Sequence, residues 1–302
     1  MAKHEITNWG KHAIHRYADE TAGLSFSFVP ARGACLTELV IGGVLLLDGY
    51  RDASELDTLD WGKSAILAPF PNRLKDGKYS FEGVEYQFPV NEPARNNALH
   101  GFVMDKPFEI VEEGGFSVAL EYRYEGGFAY YPFPFLLRVT YSLSAEDGFT
   151  AFFEMKNTGS GPMPAGLGWH PYFRLGDSAD ALFLQFPSAE QVLVDERMIP
   201  TGEKLRFNDF EAMKQIGATA FDTGFRLPEP CVVRLREGTR ELAYWQDGAF
   251  PFLQVFIPPA RRSIALEPMT CNIDALNNGE GLWVLAPGEA IRGRAGLRFN
   301  PS

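Results

Sequence analysis

The octapeptide Gly166-Leu167-Gly168-Trp169-His170-Pro171-Tyr172-Phe173 sets one of only five histidines among aromatic, glycine and proline residues. Pro171 restricts the backbone of His170 to extended conformations, and the two glycines let the main chain approach whatever lies opposite, so the imidazole is aimed rather than free. Histidine has the unperturbed side-chain pKa nearest neutrality, and an aimed one is a natural general acid or base; a hydrogen-bonded core histidine is the structural alternative. Ala265-Leu266-Glu267-Pro268 offers a carboxylate at the end of an apolar run. The proline behind it is expected to stop the strand and to turn Glu267 outward into a loop-lined cleft. Asn72 and Arg73 end the stretch Leu67-Ala68-Pro69-Phe70-Pro71-Asn72-Arg73-Leu74, whose two prolines exclude a regular helix or a central strand and predict a rigid extended loop. Leu99-His100-Gly101 follows a polar loop that includes Asn91, Arg95, Asn96 and Asn97, while Asp222 and Gln254 stand between aromatics. Taken singly, each of these reads equally as a solvated loop or strand-end residue.

The elements that must position these side chains are strands. Leu24 to Val29 and Gly33 to Leu47 are Val/Leu-rich runs punctuated by glycine. Tyr79 to Phe88 turns at Glu82-Gly83, Phe108 to Tyr122 at Gly114-Gly115, and Leu136 to Met155 at Ala145 to Gly148, which gives three hairpins and an antiparallel sheet. Strand patterns resume at Cys231 to Leu235, Leu242 to Trp245, Phe252 to Ile257, Ser263 to Leu266, Trp283 to Leu285 and Ala295 to Phe299. Asn208 with Glu211 three residues on predicts one short helix, ending at Gly217, and no other. Strands at this spacing without intervening helices disfavour parallel βαβ winding. No linker, repeat or charge block divides the sequence, and the expectation is one all-β domain over residues 1–302.

Composition narrows the partners. The chain is 45% apolar and 14% aromatic, enough for an extensive core, and its net charge of -11 repels phosphate backbones and anionic lipid surfaces, so neither nucleic acid nor membrane is an expected partner. The N-terminal residues lack the apolar run of a signal peptide and no segment approaches a membrane span, which predicts a cytoplasmic protein. Cys35, Cys231 and Cys271 are odd in number and far apart, and read as reduced thiols.

In series, Asn72-Arg73 after a proline-bearing loop, Leu99-His100-Gly101, His170-Pro171-Tyr172-Phe173, Phe221-Asp222, the strand Gln254 and Glu267-Pro268 resemble the aldose 1-epimerase, or galactose mutarotase-like, family over most of the chain. The resemblance implies a large twisted antiparallel β-sandwich and an isomerase that interconverts the α and β anomers of an aldohexose. It implies His170 as general acid and Glu267 as general base, with Arg73, His100, Asp222 and Gln254 on the sugar hydroxyls and Asn72 supporting the loop. Thr223 departs from the family pattern, which often carries histidine after the aspartate. The chemistry fits these residue types: a base takes the C1 hydroxyl proton while an acid protonates the ring oxygen, the ring opens, C1 rotates, and closure follows on the other face. No metal, nucleotide or other cofactor is needed. The expected pH profile is bell-shaped, its acid limb set by Glu267 and its alkaline limb by His170.

Two other classes compete. A catalytically silent carbohydrate-binding or regulatory protein on the same fold has no need of an acid and a base together. A glycoside hydrolase would pair Glu267 with Asp222 and leave His170 unexplained. Tyr172, Phe173 and Trp169 are the candidate stacking rings. Neutral aldohexoses are the expected substrates, since a phosphorylated or sulfonated hexose would need a further cation from Arg95 or Arg174 beside Arg73.

Overall fold

The computed structural model describes residues 3–228 and 231–301. Its frame is two large antiparallel sheets. The nine-stranded one runs from Glu109–Gly114 through Ser117–Tyr124, Phe135–Ser144, Gly148–Asn157, Ala290–Asn300, Arg240–Gln246, Cys231–Glu237 and Phe183–Gln185 to Lys214–Gln215. The eight-stranded one runs from Pro200–Phe207 across Ala189–Val194, Asp222–Arg226, Phe252–Phe256, Ile264–Met269 and Gly168–Trp169 to Ile66–Leu67, with Tyr172–Phe173 also paired to Ile264–Met269. A five-stranded sheet, Lys3–Trp9 to Val44–Leu45, precedes both in sequence.

Alternation explains the layering. In Phe135–Ser144 every second residue, from Phe135 to Leu143, is buried and the intervening ones are not. From the other sheet Trp169, fully buried, lies 6.2 Å from Phe149 and 6.1 Å from Phe153 between ring centroids, and Phe173 lies 5.8 Å from Tyr244. One contiguous apolar core therefore fills the space between the sheets, and the twisted antiparallel β-sandwich expected from the sequence is what the chain forms. All three hairpins are present, at Lys78–Phe81/Val84–Gln87, Glu109–Gly114/Ser117–Tyr124 and Phe135–Ser144/Gly148–Asn157. The three cysteines are free and buried. No helix among the described residues is long and apolar enough to cross a membrane.

Three local expectations are corrected. Residues 208–217 do not form a helix: Phe210 is buried beside Phe207 and Phe221, its carbonyl accepts from Phe186 N at 2.8 Å, and Lys214–Gln215 pairs with Phe183–Leu184. Tertiary packing of one aromatic overrides the capping pattern. The α-helices among the described residues lie elsewhere, at Ala53–Thr58, where the Asp52 carboxylate accepts from Ser54 N and Glu55 N, and at Ala275–Asn278. Pro268 does not stop its strand, which continues to Met269. The flanking amides of Leu266 and Thr270 both donate to the 167–171 segment, so the missing N–H of Pro268 is directed at the break between Gly168–Trp169 and Tyr172–Phe173, where a ladder bond would have no strand to meet. Residues 67–74 are not one loop either. Ile66–Leu67 and Arg73–Lys75 are strands, and only the turn between them, with a cis Ala68–Pro69 peptide, is irregular.

That turn is held by Gly101, whose φ of +66° suits glycine and whose Cα approaches so closely that an added Cβ would lie 2.0 Å from the Ala68 carbonyl oxygen. Gly101→Ala must therefore displace backbone. It is expected to destabilise the protein by roughly 3 kcal/mol or more and to lower the thermal midpoint by about 5–10 °C, read by scanning calorimetry. An unchanged midpoint would contradict this packing.

Candidate active site

The site starts from a register. Gln254 and Glu267 stand directly opposite each other on adjacent antiparallel strands. On the far side of Ile264–Met269, Gly168 pairs with Met269 and Tyr172 with Ala265, and the same register carried through the break sets His170 opposite Glu267. Residues opposite one another share a sheet face, so Gln254, Glu267 and His170 form one row of side chains. His170 Nε2 lies 3.4 Å from Glu267 Oε1. At the other end of the row Gly224 stands opposite Gln254 and presents no side chain. The Gln254 amide reaches diagonally instead, donating to Asp222 Oδ1 at 2.8 Å. The two sequence glycines have the role expected of them: a Cβ on Gly166 would lie 2.5 Å from Cys271 Sγ, and one on Gly168 would lie 2.8 Å from Pro71 Cβ.

A second wall comes from the short pair Arg73–Lys75/Asn97–Leu99. Asn72 and His100 both adopt left-handed conformations, with φ of 58° and 65°, and lock each other: His100 N donates to Asn72 O at 2.8 Å, and Asn72 N donates to His100 Nδ1 at 3.1 Å. An Nδ1 that accepts leaves the proton on Nε2, so His100 is a neutral donor. Burial, then the neighbouring His170 and Arg73, hold its pKa well below the usual imidazole value. Asn72 Oδ1 accepts from Arg73 N and Arg73 Nη1. Glu92, which the sequence reading passed over inside the Asn91–Asn97 loop, receives Arg73 Nε at 3.0 Å and Arg73 Nη2 at 3.0 Å. Arg95 and Asn97 also donate to it. Burial opposes its ionisation, yet the hydrogen bonds and charge of Arg73 hold its pKa below the ordinary carboxylate value.

The two walls enclose a cavity of about 750 Å³. All seven residues singled out in the sequence, Asn72, Arg73, His100, His170, Asp222, Gln254 and Glu267, line it. Arg95 lines it too, whereas Arg174 faces a separate surface pocket beside Asp177 and Glu237 and has no part in it. Thr223 alternates to the opposite face of its strand from Asp222. Trp169 and Phe173 belong to the inter-sheet core, and only Tyr172 of the three candidate rings reaches the cavity. Trp61 and Arg261 line it without any sequence pattern to announce them.

Electrostatics at the row are dominated by water exclusion. Burial lowers the His170 pKa to about 3. Burial, reinforced by the charge of Asp222 and only partly offset by Arg73, raises that of Glu267 well above the carboxylate range. Among the described residues, His170 Nδ1, Gln254 Oε1 and Glu267 Oε2 are buried polar atoms without a protein hydrogen-bond partner. All three belong to residues that line the cavity, and buried polar atoms left unsatisfied in one row call for a functional explanation. No three His, Cys, Asp or Glu side chains among the described residues converge as a metal-ligand set.

The chain matches the family model described as aldose 1-epimerase over residues 19–298. It is 30% identical over 296 residues to the uncharacterized protein YihR of Escherichia coli (strain K12), covering 95% of this chain and 94% of that one. Among solved structures it is similar to a galactose mutarotase-like protein from Clostridium acetobutylicum, with a TM-score of 0.88 at 20% identity, covering 99% of this chain and 98% of the other. It is also similar to galactose 1-epimerase from Lactobacillus acidophilus, with a TM-score of 0.83 at 17% identity and 99% of each chain covered. These structural likenesses concern the fold; the sequence match over nearly the whole chain establishes that this protein belongs to the aldose 1-epimerase family.

Proposed function

We propose that the protein is an aldose 1-epimerase acting on an aldohexose, with Glu267 as the base and His170 as the acid. The observation that carries the reading is the 3.4 Å approach of His170 Nε2 to Glu267 Oε1 between two residues that both line the cavity of about 750 Å³. The pair shares one proton near neutrality. Passing that proton from Glu267 to His170 Nε2 leaves the Glu267 carboxylate ionised to accept the C1 hydroxyl proton, while the imidazolium protonates the ring oxygen as the C1–O5 bond breaks. Rotation about C1–C2 and the reverse transfers close the other anomer. The His100 Nε2–H, the remaining N–H groups of Arg73, Asp222 and the Gln254 amide suit the other hydroxyls. Side-chain proton transfer suffices, so the scheme includes no metal or cofactor. The contiguous core supports a single domain as the working unit.

A silent binding module would not require an acid opposite a base, and a pair of carboxylates flanking a glycosidic bond would leave His170 idle. A substrate bearing an anionic group is a second reading, favoured by the presence of Arg95 and Arg261 on the cavity wall beside Arg73. Arg95 is already engaged by Glu92, and Arg261 by Asp180 and the carbonyls of Gly217 and Thr219, which supports the neutral hexose.

Polarimetry on freshly dissolved α-glucose and α-galactose is expected to show equilibration faster than in buffer, with Glu267→Gln and His170→Asn each lowering kcat by roughly a hundredfold or more. Near-wild-type rates in both variants would remove the assignment. The directions of the pKa shifts exchange the two limbs of the pH profile: the pair gains a second proton only when His170 titrates, below its ordinary range, and loses its one proton only when Glu267 titrates, above its own. The profile of kcat/KM is therefore expected to show no loss of activity on acidification from about pH 7 to about pH 5, and a steep acid limb near the free imidazole value of about 6.5 would contradict it. Glucose is expected to be turned over with a higher kcat/KM than glucose 6-phosphate; a tenfold preference for the phosphate that Arg95→Ala abolishes would establish the anionic reading instead.

A further inference from the structure

We propose that Trp61 is the platform on which the C–H face of the sugar stacks, and that the loop carrying it holds His170 in place against the bound ring. The assignment rests on the epimerase reading above. Four aromatic rings apart from the histidines line the cavity, namely Trp61, Tyr172, Phe221 and Phe256. Three are committed elsewhere. Tyr172 is stacked on His170, with ring centroids 4.9 Å apart at 12°. Phe221 packs edgewise on Phe207 and Phe225 and tilted on Phe210. Phe256 is covered by Trp61 itself, at 5.9 Å and 25°. Trp61 has one face on Phe256 and is 54% exposed, so it alone offers a free ring face at the cavity. The polarised C–H groups on one face of a pyranose match an aromatic face, and an indole offers the broadest one.

The backbone strengthens the assignment. Leu59, Trp61, Gly62 and Ser64 all have positive φ, of 53°, 63°, 58° and 55°. Three of the four carry side chains, and such conformations persist only where the surroundings fix them. Here the fixing bonds come from the proposed acid and its neighbour. Tyr172 Oη donates to Trp61 O at 3.0 Å, Ser64 N donates to His170 O at 2.8 Å, and His170 N donates to Ala65 O at 3.0 Å. A Cβ on Gly62 would lie 3.8 Å from His170 Cδ2, so the loop runs against the imidazole. The segment that projects Trp61 thus also brackets His170, and a sugar seated on the indole is placed relative to the proton donor by bonds within a single strap.

Two variants and two readouts test this. Trp61→Ala is expected to raise KM for glucose or galactose by roughly threefold to tenfold with a smaller change in kcat, and Trp61→Phe to recover part of that loss. No other tryptophan lines the cavity, so titrating the wild type with either sugar is expected to perturb its tryptophan fluorescence, and the perturbation is expected to vanish in Trp61→Phe. A wild-type KM in Trp61→Ala, a sugar response that survives in Trp61→Phe, or no response of the wild type to either sugar would each overturn the platform. A wild type that responds to sugar through Trp61 but does not accelerate mutarotation would sink the epimerase reading and leave the platform standing.

Discussion

The arrangement depends on a single antiparallel register that seats Glu267 between Gln254 on one neighbouring strand and His170 on the other. A register shift of one residue would send all three side chains to the opposite face, into the inter-sheet core. The fold forbids that slip because the intervening positions are already committed. Leu253, Val255 and Leu266 are buried in the core, and Trp169 and Phe173 fill it from either side of His170. Cavity and core are thus two faces of the same strands, and the hydrophobic packing that stabilises the sandwich also fixes the distance between the proposed acid and base.

Burial then determines the chemistry of that row. Excluding water disfavours the charged forms of both groups, which drives the pKa of Glu267 up and that of His170 down. On the opposing wall the same exclusion has another outcome, because Glu92 meets Arg73 through a two-pronged contact and stays ionised. The cavity therefore sets the proposed acid and base, both disfavoured as ions, against a fixed ion pair, with His100 as a neutral donor between them.

Much of this was legible in the sequence, and the misses have definite causes. The alternation of Phe135–Ser144 and the glycine turns of the hairpins identify strands because burial on one face enforces a period of two. Lys3–Trp9 and Pro200–Phe207 show no such period because most of their residues are exposed at sheet edges, and both escaped notice. The Asn208 capping pattern misled because Phe210 gains more from burial than a short helix gains from its cap. Pro268 misled because a missing N–H matters only where a neighbouring strand would have used it. The histidines, Glu267, Arg73 and Gln254 were visible by type, yet nothing local could reveal that His170 and Glu267 face each other, since that follows from pairing between distant strands. Glu92 looked like one more polar loop residue, and Trp61 lies in a left-handed stretch that no residue pattern marks.

The proton inventory of the row is the most direct test. In the free protein, the imidazole nitrogen chemical shifts of His170, assigned through His170→Asn, report whether the ring is neutral or cationic. The account predicts a neutral imidazole from about pH 8 down to about pH 5, well below the ordinary titration range of histidine, because burial disfavours the charged ring. An imidazolium already formed at neutral pH, or one titrating near the free value of about 6.5, would contradict it.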